Sequence, residues 1–303
     1  MNSKSFTVLL FLSVCLIWGT TWFAMEVALH SIPPIFATGL RFLLAAPLLA
    51  VLAKVFNQPL LFPKGKRQWI LIVALMYFAI PFTLMIYGEQ YISSGLASII
   101  FANMPVAVML MSGLFLGLRL AKHQIFGLIT AVISLCLILG NEMQMGGEDY
   151  LIGTVSLGLA VAIHSVMYVL VQKHCKDIEV LTYNAVPSFI AAIFLFAVSA
   201  VGENVDVSAF TWDSISAVVY LGFVASVGGI VAYFKLGQVS TPFQASICFL
   251  IFPVVALVIS AVINGEMLAE QSLILMLPLL FGILLTKAPK KMFKLRSGLK
   301  VSQ

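Results

Sequence analysis

"SSGLASIIFANMPVAVMLMSGLFLGLRL" occupies residues 93–120 and "STPFQASICFLIFPVVALVISAVINGEM" occupies residues 240–267, and the second repeats the pattern of the first. A shift of 148 positions puts Pro105 on Pro253, Ala97 on Ala245, Ser98 on Ser246 and Gly117 on Gly265, with no gap. Each stretch is apolar over roughly the 20 residues that carry a helix through the hydrocarbon core of a bilayer. Each also has a proline in its middle, where the missing N–H kinks a helix. Outward from this pair, further apolar runs of similar length fall at residues 7–28, 34–55, 69–89, 124–141, 151–173, 180–201, 214–236 and 272–287. With the pair taken as 93–117 and 240–263, there are ten spans, and the copies are the fourth and the ninth. These two cross in opposite directions, so the repeat is inverted. The chain divides into two five-helix units, residues 1–145 and 146–287, and a basic tail, residues 288–303.

Composition agrees. Hydrophobic residues make up 61% of the chain and charged residues 10%, with a mean hydropathy of +1.09, values that belong to integral membrane proteins. The first apolar run exceeds the core of a signal peptide and no Ala-x-Ala site follows, so it reads as a retained helix. Lys54, Lys64, Lys66, Arg67, Arg119, Lys122, Lys173, Lys176, Lys235 and the tail lysines fall on one side of the ten spans. The opposite loops hold Glu142, Glu148, Asp149, Glu203, Asp206, Asp213, Glu266 and Glu270 and no Lys or Arg. The positive-inside bias makes both termini cytoplasmic. It also explains the net charge of +5 through topology and anionic lipid rather than nucleic acid. Cys15, Cys136, Cys175 and Cys248 lack paired spacing, so neither a metal site nor a disulfide framework is indicated. No phosphate-gripping glycine loop and no nucleophile-and-base motif occurs, and no cofactor is implied.

Inverted five-helix units are an arrangement of secondary transporters, with the solute near the midplane between the repeats. "WGTTW" at 18–22, Arg41-Phe42, "SSGLASIIFANMPV" at 93–106 and "FQASICFLIFPVVALVISAVINGEML" at 243–268 carry a resemblance as well. On these residues the chain resembles the drug/metabolite transporter superfamily, in particular its ten-helix permeases built from two EamA-type domains. The resemblance implies an all-α integral membrane fold and a central cavity beside the first helix. It leaves the solute open, since the superfamily moves amino acids, sugars, nucleotide sugars, vitamins and cationic drugs. One departure stands out: "GLRL" at 117–120 puts Leu118 where the family usually has a glutamate in both repeats, as "GEML" does at 265–268.

The candidate site residues lie inside the spans. Trp18 and Trp22 share one helix face at mid-depth, whereas Trp69 and Trp212 fall at span ends as interface anchors. The first pair is either core packing eased by Gly19 and Thr20 or, with Thr21, a cavity wall that meets an amphipathic solute. His164, near mid-depth with Tyr168 one turn on, is either a hydrogen-bonded core residue or a group that binds solute or carries a proton. Asn103 either satisfies backbone freed by Pro105 or faces the cavity, and Asn184 beside Pro187 plays the matching part in the seventh span. Arg41 lies about 10 Å below the outer end of the second span. It pairs with Glu26, snorkels with a structural partner, or receives a solute carboxylate. Glu89 reads as interfacial, and Pro105 and Pro253 read as pivots for gating.

The expected function is a secondary transporter of small amphipathic metabolites, an exporter of amino acids or related compounds in a bacterial inner membrane, monomeric or homodimeric. The alternatives are an importer of a vitamin or other metabolite on the same fold, and a polytopic enzyme acting on a lipid-linked substrate. Such an enzyme would cluster acids or histidines at one membrane face, and here the outer acids are spread over several loops. Gly19, Thr20 and Thr21 stand where the resemblance places a glutamate in small proton-exchanging relatives. If protons drive transport, His164 is the candidate carrier; if they do not, the protein is a facilitator or exchanger that follows the solute gradient, and this reading is preferred.

Overall fold

The computed structural model describes residues 3–118, 120–146, 148–240 and 242–288. Arg119 and the tail residues Lys290, Lys291, Lys294, Arg296 and Lys300 lie outside the described residues. Ten helices are long and apolar enough to cross a membrane: α1 (Lys4–Leu29), α2 (Pro34–Val55), α3 (Gln68–Gly88), α4 (Ser94–Leu116), α5 (Lys122–Gln144), α6 (Asp149–His174), α7 (Val180–Gly202), α8 (Trp212–Val239), α9 (Gln244–Asn264) and α10 (Glu270–Lys287). They follow the ten hydropathy runs closely.

Even-numbered helices begin on the face whose loops carry the acids, and odd-numbered helices on the face whose loops carry the lysines. A helix start leaves orphan N–H groups and a partial positive charge, and several acidic-face residues meet that need. Glu203, just beyond α7, accepts from the amides of Ile35 and Phe36 at 2.8 and 2.9 Å at the start of α2. Ser199 donates to the same carboxylate at 2.6 Å. Glu142 of α5 accepts from Ala269 N at 3.0 Å where α10 begins. Thr211 caps α8 through Ser214 N.

The two repeats interlock. α1 packs on α8 and α9, and α6 packs on α3 and α4, so the first helix of each repeat docks on the third and fourth of the other. The α2–α7 and α5–α10 contacts complete the assembly. Glycines permit the closest crossings. A Cβ on Gly19 would lie 2.5 Å from Val255 Cγ1 of α9, and one on Gly127 would lie 2.7 Å from the Gly282 carbonyl of α10.

On the basic face, the Trp69 ring stacks on His174 at 4.9 Å, while Trp212 stands 84% exposed at the opposite end. Lys66 pairs with Asp177 and holds its carboxyl below the ordinary value of 3.8. A lowered carboxyl adds stability above its ordinary value, and this is lost as pH falls through the lowered one. The pair is solvent-exposed, so the contribution is small. Asp177→Asn is expected to leave the thermal midpoint at neutral pH nearly unchanged and to flatten only the acid limb of its pH dependence. A large drop at neutral pH would contradict this account.

Candidate solute site

Interrupted helices shape the centre of the molecule. Pro81 offers no N–H to the preceding turn, and α3 widens into π-helical turns over Ala74–Ala79, with Ile80 N–H reaching back five residues to Leu75 O. α8 does the same over Leu221–Gly228, where Gly229 N–H bonds Val224 O. Pro81 and Gly229 are 148 positions apart, so the widened turns occupy matching places in the two repeats. α4 breaks at Asn103: its amide bonds Ile100 O at 3.2 Å, and its side-chain Nδ2 serves the Ile99 carbonyl at 3.0 Å. Pro105 opens the helical segment that follows, Met104–Leu116. α9 instead breaks at Ile247, and Pro253 lies inside the continuous segment Cys248–Ile259. The two prolines match in sequence but not in local structure.

Aromatic rings from both repeats surround this region. His164 is 3% exposed, ringed by Tyr77 at 4.9 Å, Phe82 at 5.3 Å and Phe101 at 5.9 Å. Trp18 is enclosed in the matching way by Tyr233 at 4.9 Å, Phe249 at 5.4 Å and Phe252 at 6.2 Å. Trp22 meets Phe101 at 5.5 Å, so Phe101 of α4 touches both α1 and α6. Tyr168 lies on the His164 face, one turn further toward the basic face, and is 48% exposed.

The sequence candidates separate here. Thr21 is buried and its hydroxyl donates to Ile17 O at 2.6 Å, turned back on its own helix. The Thr20 hydroxyl also reaches back, to Leu16 O at 2.6 Å, and in addition meets the Tyr220 hydroxyl of α8 at 2.5 Å. Asn184 serves the Val180 carbonyl of its own helix. His164 Nδ1 and Asn103 Oδ1 are buried with no hydrogen-bond partner among the described residues. The expected Arg41–Glu26 pair does not form. Arg41 is buried, with Nε donating to Ser226 Oγ of α8 at 2.8 Å, Nη1 at 3.5 Å from Met25 Sδ and the guanidinium 4.7 Å over the Phe82 ring. Met25 faces α2, and Glu26 is about 100° further round α1, where Asn264 of α9 donates to it. Glu89 is not interfacial: it is 6% exposed, and both carboxyl oxygens lack partners.

Toward the acidic face the centre is closed. Gly95 of α4 lies against Leu257 and Ser260 of α9, and Asn264 ties Glu26 of α1 to α9. The sequence reading leaves out Tyr77, Phe82, Phe101, Tyr183, Tyr233 and Phe249. Phe101 and Phe249 were available to it, because the same shift of 148 superposes them.

A model described as the EamA-like transporter family matches residues 5–140 and, a second time, 151–287. Protein PagO of Salmonella typhimurium is 45% identical over 92% of this chain and 91% of its own. A protein of Buchnera aphidicola subsp. Schizaphis graminum, named an uncharacterized transporter, is 41% identical over 96% of this chain and 97% of its own. A solved crystal structure of a protein 16% identical aligns with a TM-score of 0.67 over 97% of this chain and 99% of that one, a likeness of fold.

Proposed function

Because the chain belongs to the EamA-like transporter family, we propose that it is a secondary carrier of small amphipathic metabolites. On this reading it exports amino acids or related compounds by alternating access through the space between Trp18 and His164. The supporting observation is a pair of buried polar atoms without a hydrogen-bond partner among the described residues, the carbonyl oxygen Asn103 Oδ1 and the ring nitrogen His164 Nδ1, on helices that also present Phe101 and Tyr168. Leaving a buried acceptor unpaired costs about 1–3 kcal/mol, and an ammonium or hydroxyl of a bound solute removes that cost. Trp18 and Trp22 supply apolar walls, and Thr21 contributes a methyl rather than its hydroxyl.

The basic face is the cytoplasmic one by the distribution of lysine and arginine, and bacterial relatives support a bacterial inner membrane. Tyr168, one turn from His164 toward that face, then lies on the side where an exporter loads. Residues 1–145 and 146–287 act as the two repeats, with Pro105 and Pro253 as pivots; Pro105 adjoins the break of α4 at Asn103, and Pro253 follows the break of α9 at Ile247 by six residues.

The test is counterflow in proteoliposomes, screening amino acids and their analogues for saturable exchange. Trp18→Ala is expected to abolish thermal stabilisation by the exchanged solute while the empty protein still folds. Retained binding with a lowered empty-state midpoint would assign Trp18 to packing. Turnover of a lipid-linked substrate without counterflow would overturn the carrier reading.

A further inference from the structure

Glu89 follows α3 directly and its N–H still bonds Met85 O, so its side chain hangs at the C-terminal end of that helix. It is 6% exposed, and neither carboxyl oxygen meets a donor among the described residues. A carboxylate offers about four acceptor sites, and burying one with none filled is among the costliest arrangements a chain holds. The surroundings do not favour the anion. The helix end presents carbonyl oxygens and the negative pole of the dipole. α1 brings a second acid, Glu26, within electrostatic range. α2 brings Arg41 within range, but its guanidinium is taken up by Ser226, Met25 and Phe82. No carboxylate oxygen lies within 4.0 Å of it among the described residues. α6 faces the end of α3 with Gly153 and Leu157. Its Asp149 acts on Tyr91, and its His164 lies deeper, beyond Phe82.

We propose that Glu89 is a proton-binding site of this protein. The carboxyl holds its proton while the acidic face is closed. When that face opens, the O–H bond breaks to water there, and the carboxylate left behind pairs with an Arg41 released from Ser226. In the present conformation Arg41 contacts only the neutral groups Ser226, Met25 and Phe82 among the described residues. The part this proton plays in solute movement rests on the carrier reading, but its binding does not.

Infrared difference spectra of the full chain in lipid vesicles test this without any solute. The wild type is expected to show the carbonyl stretch of a protonated, buried carboxyl at neutral pH and to lose it as pH is raised. Glu89→Gln keeps the size and neutrality of the protonated acid, so it folds, and it is expected to lose that band. Glu26→Gln is expected to keep it. A wild type without the band, a band that survives in Glu89→Gln, or a band that persists unchanged to alkaline pH would overturn the proposal. Counterflow measures the carrier reading separately, so failure of one leaves the other standing.

Discussion

Gly19→Val is expected to lower the thermal midpoint and the yield of folded protein sharply, while Gly158→Val leaves both near those of the wild type. A Cβ on Gly19 would fall 2.5 Å from Val255 Cγ1, 2.6 Å from Val255 Cβ and 3.1 Å from the Phe252 carbonyl. The last is backbone and does not swing away. At Gly158 no atom lies within 4 Å of a new Cβ, and valine is a better helix former than glycine. The expected loss at Gly19 is about 3 kcal/mol, the upper end of the range for overpacking, because α1 and α9 must separate. That is roughly a hundredfold in a folding equilibrium. Size-exclusion yield and thermal midpoint in detergent measure it. Moving the bulk across the crossing, as Gly19→Ala with Val255→Gly, is expected to recover much of the loss. A well-folded Gly19→Val protein would refute the crossing itself.

Glu203→Ala is the second large loss expected. One carboxylate accepts two backbone amides at the start of α2 and a serine hydroxyl from α7. Hydrogen bonds to a charged group contribute about 1.5–3 kcal/mol each in favourable settings. Glu203 is only partly buried, so a total loss near 3 kcal/mol is expected. Glu203→Gln retains an acceptor and is expected to lose less. Thermal midpoints of both variants check the order, and an alanine variant as stable as the wild type would show that water replaces the cap.

The fold was readable because its signals are long. Ten runs of apolar residues and one copied stretch fix the helix count and the inversion, and neither depends on fine geometry. Faces within a helix were harder. Glu26 and Met25 are neighbours in sequence, yet only Met25 meets Arg41, and one residue of rotation undoes a pairing argued from depth alone. π-helical turns compound this in α3 and α8, because each added residue per turn shifts every later side chain off the 3.6-residue pattern. Tyr77 and Phe82 lie within and beyond such a segment, and their convergence on His164 was not visible in the spacing. Glu89 was misplaced for a different reason. An acid at a span end normally reaches water, and only the packing of α6 across it shows that this one does not.

The interlocking of the repeats sets a clock during biosynthesis. α1 leaves the ribosome first, but Trp18 waits for Tyr233 and Phe249, Thr20 for Tyr220, and Glu26 for Asn264. All of these partners lie in the last third of the chain. At about 5–20 residues per second, the wait is on the order of 10–50 s. Through that interval the carboxylate and hydroxyls of α1 sit in the insertion machinery or in lipid without their native partners. α1 can meet α2 and α4 early, through Met25 and Trp22, but its packing is complete only when the second repeat arrives, so the chain's exposure to proteolysis and misassembly is timed by translation.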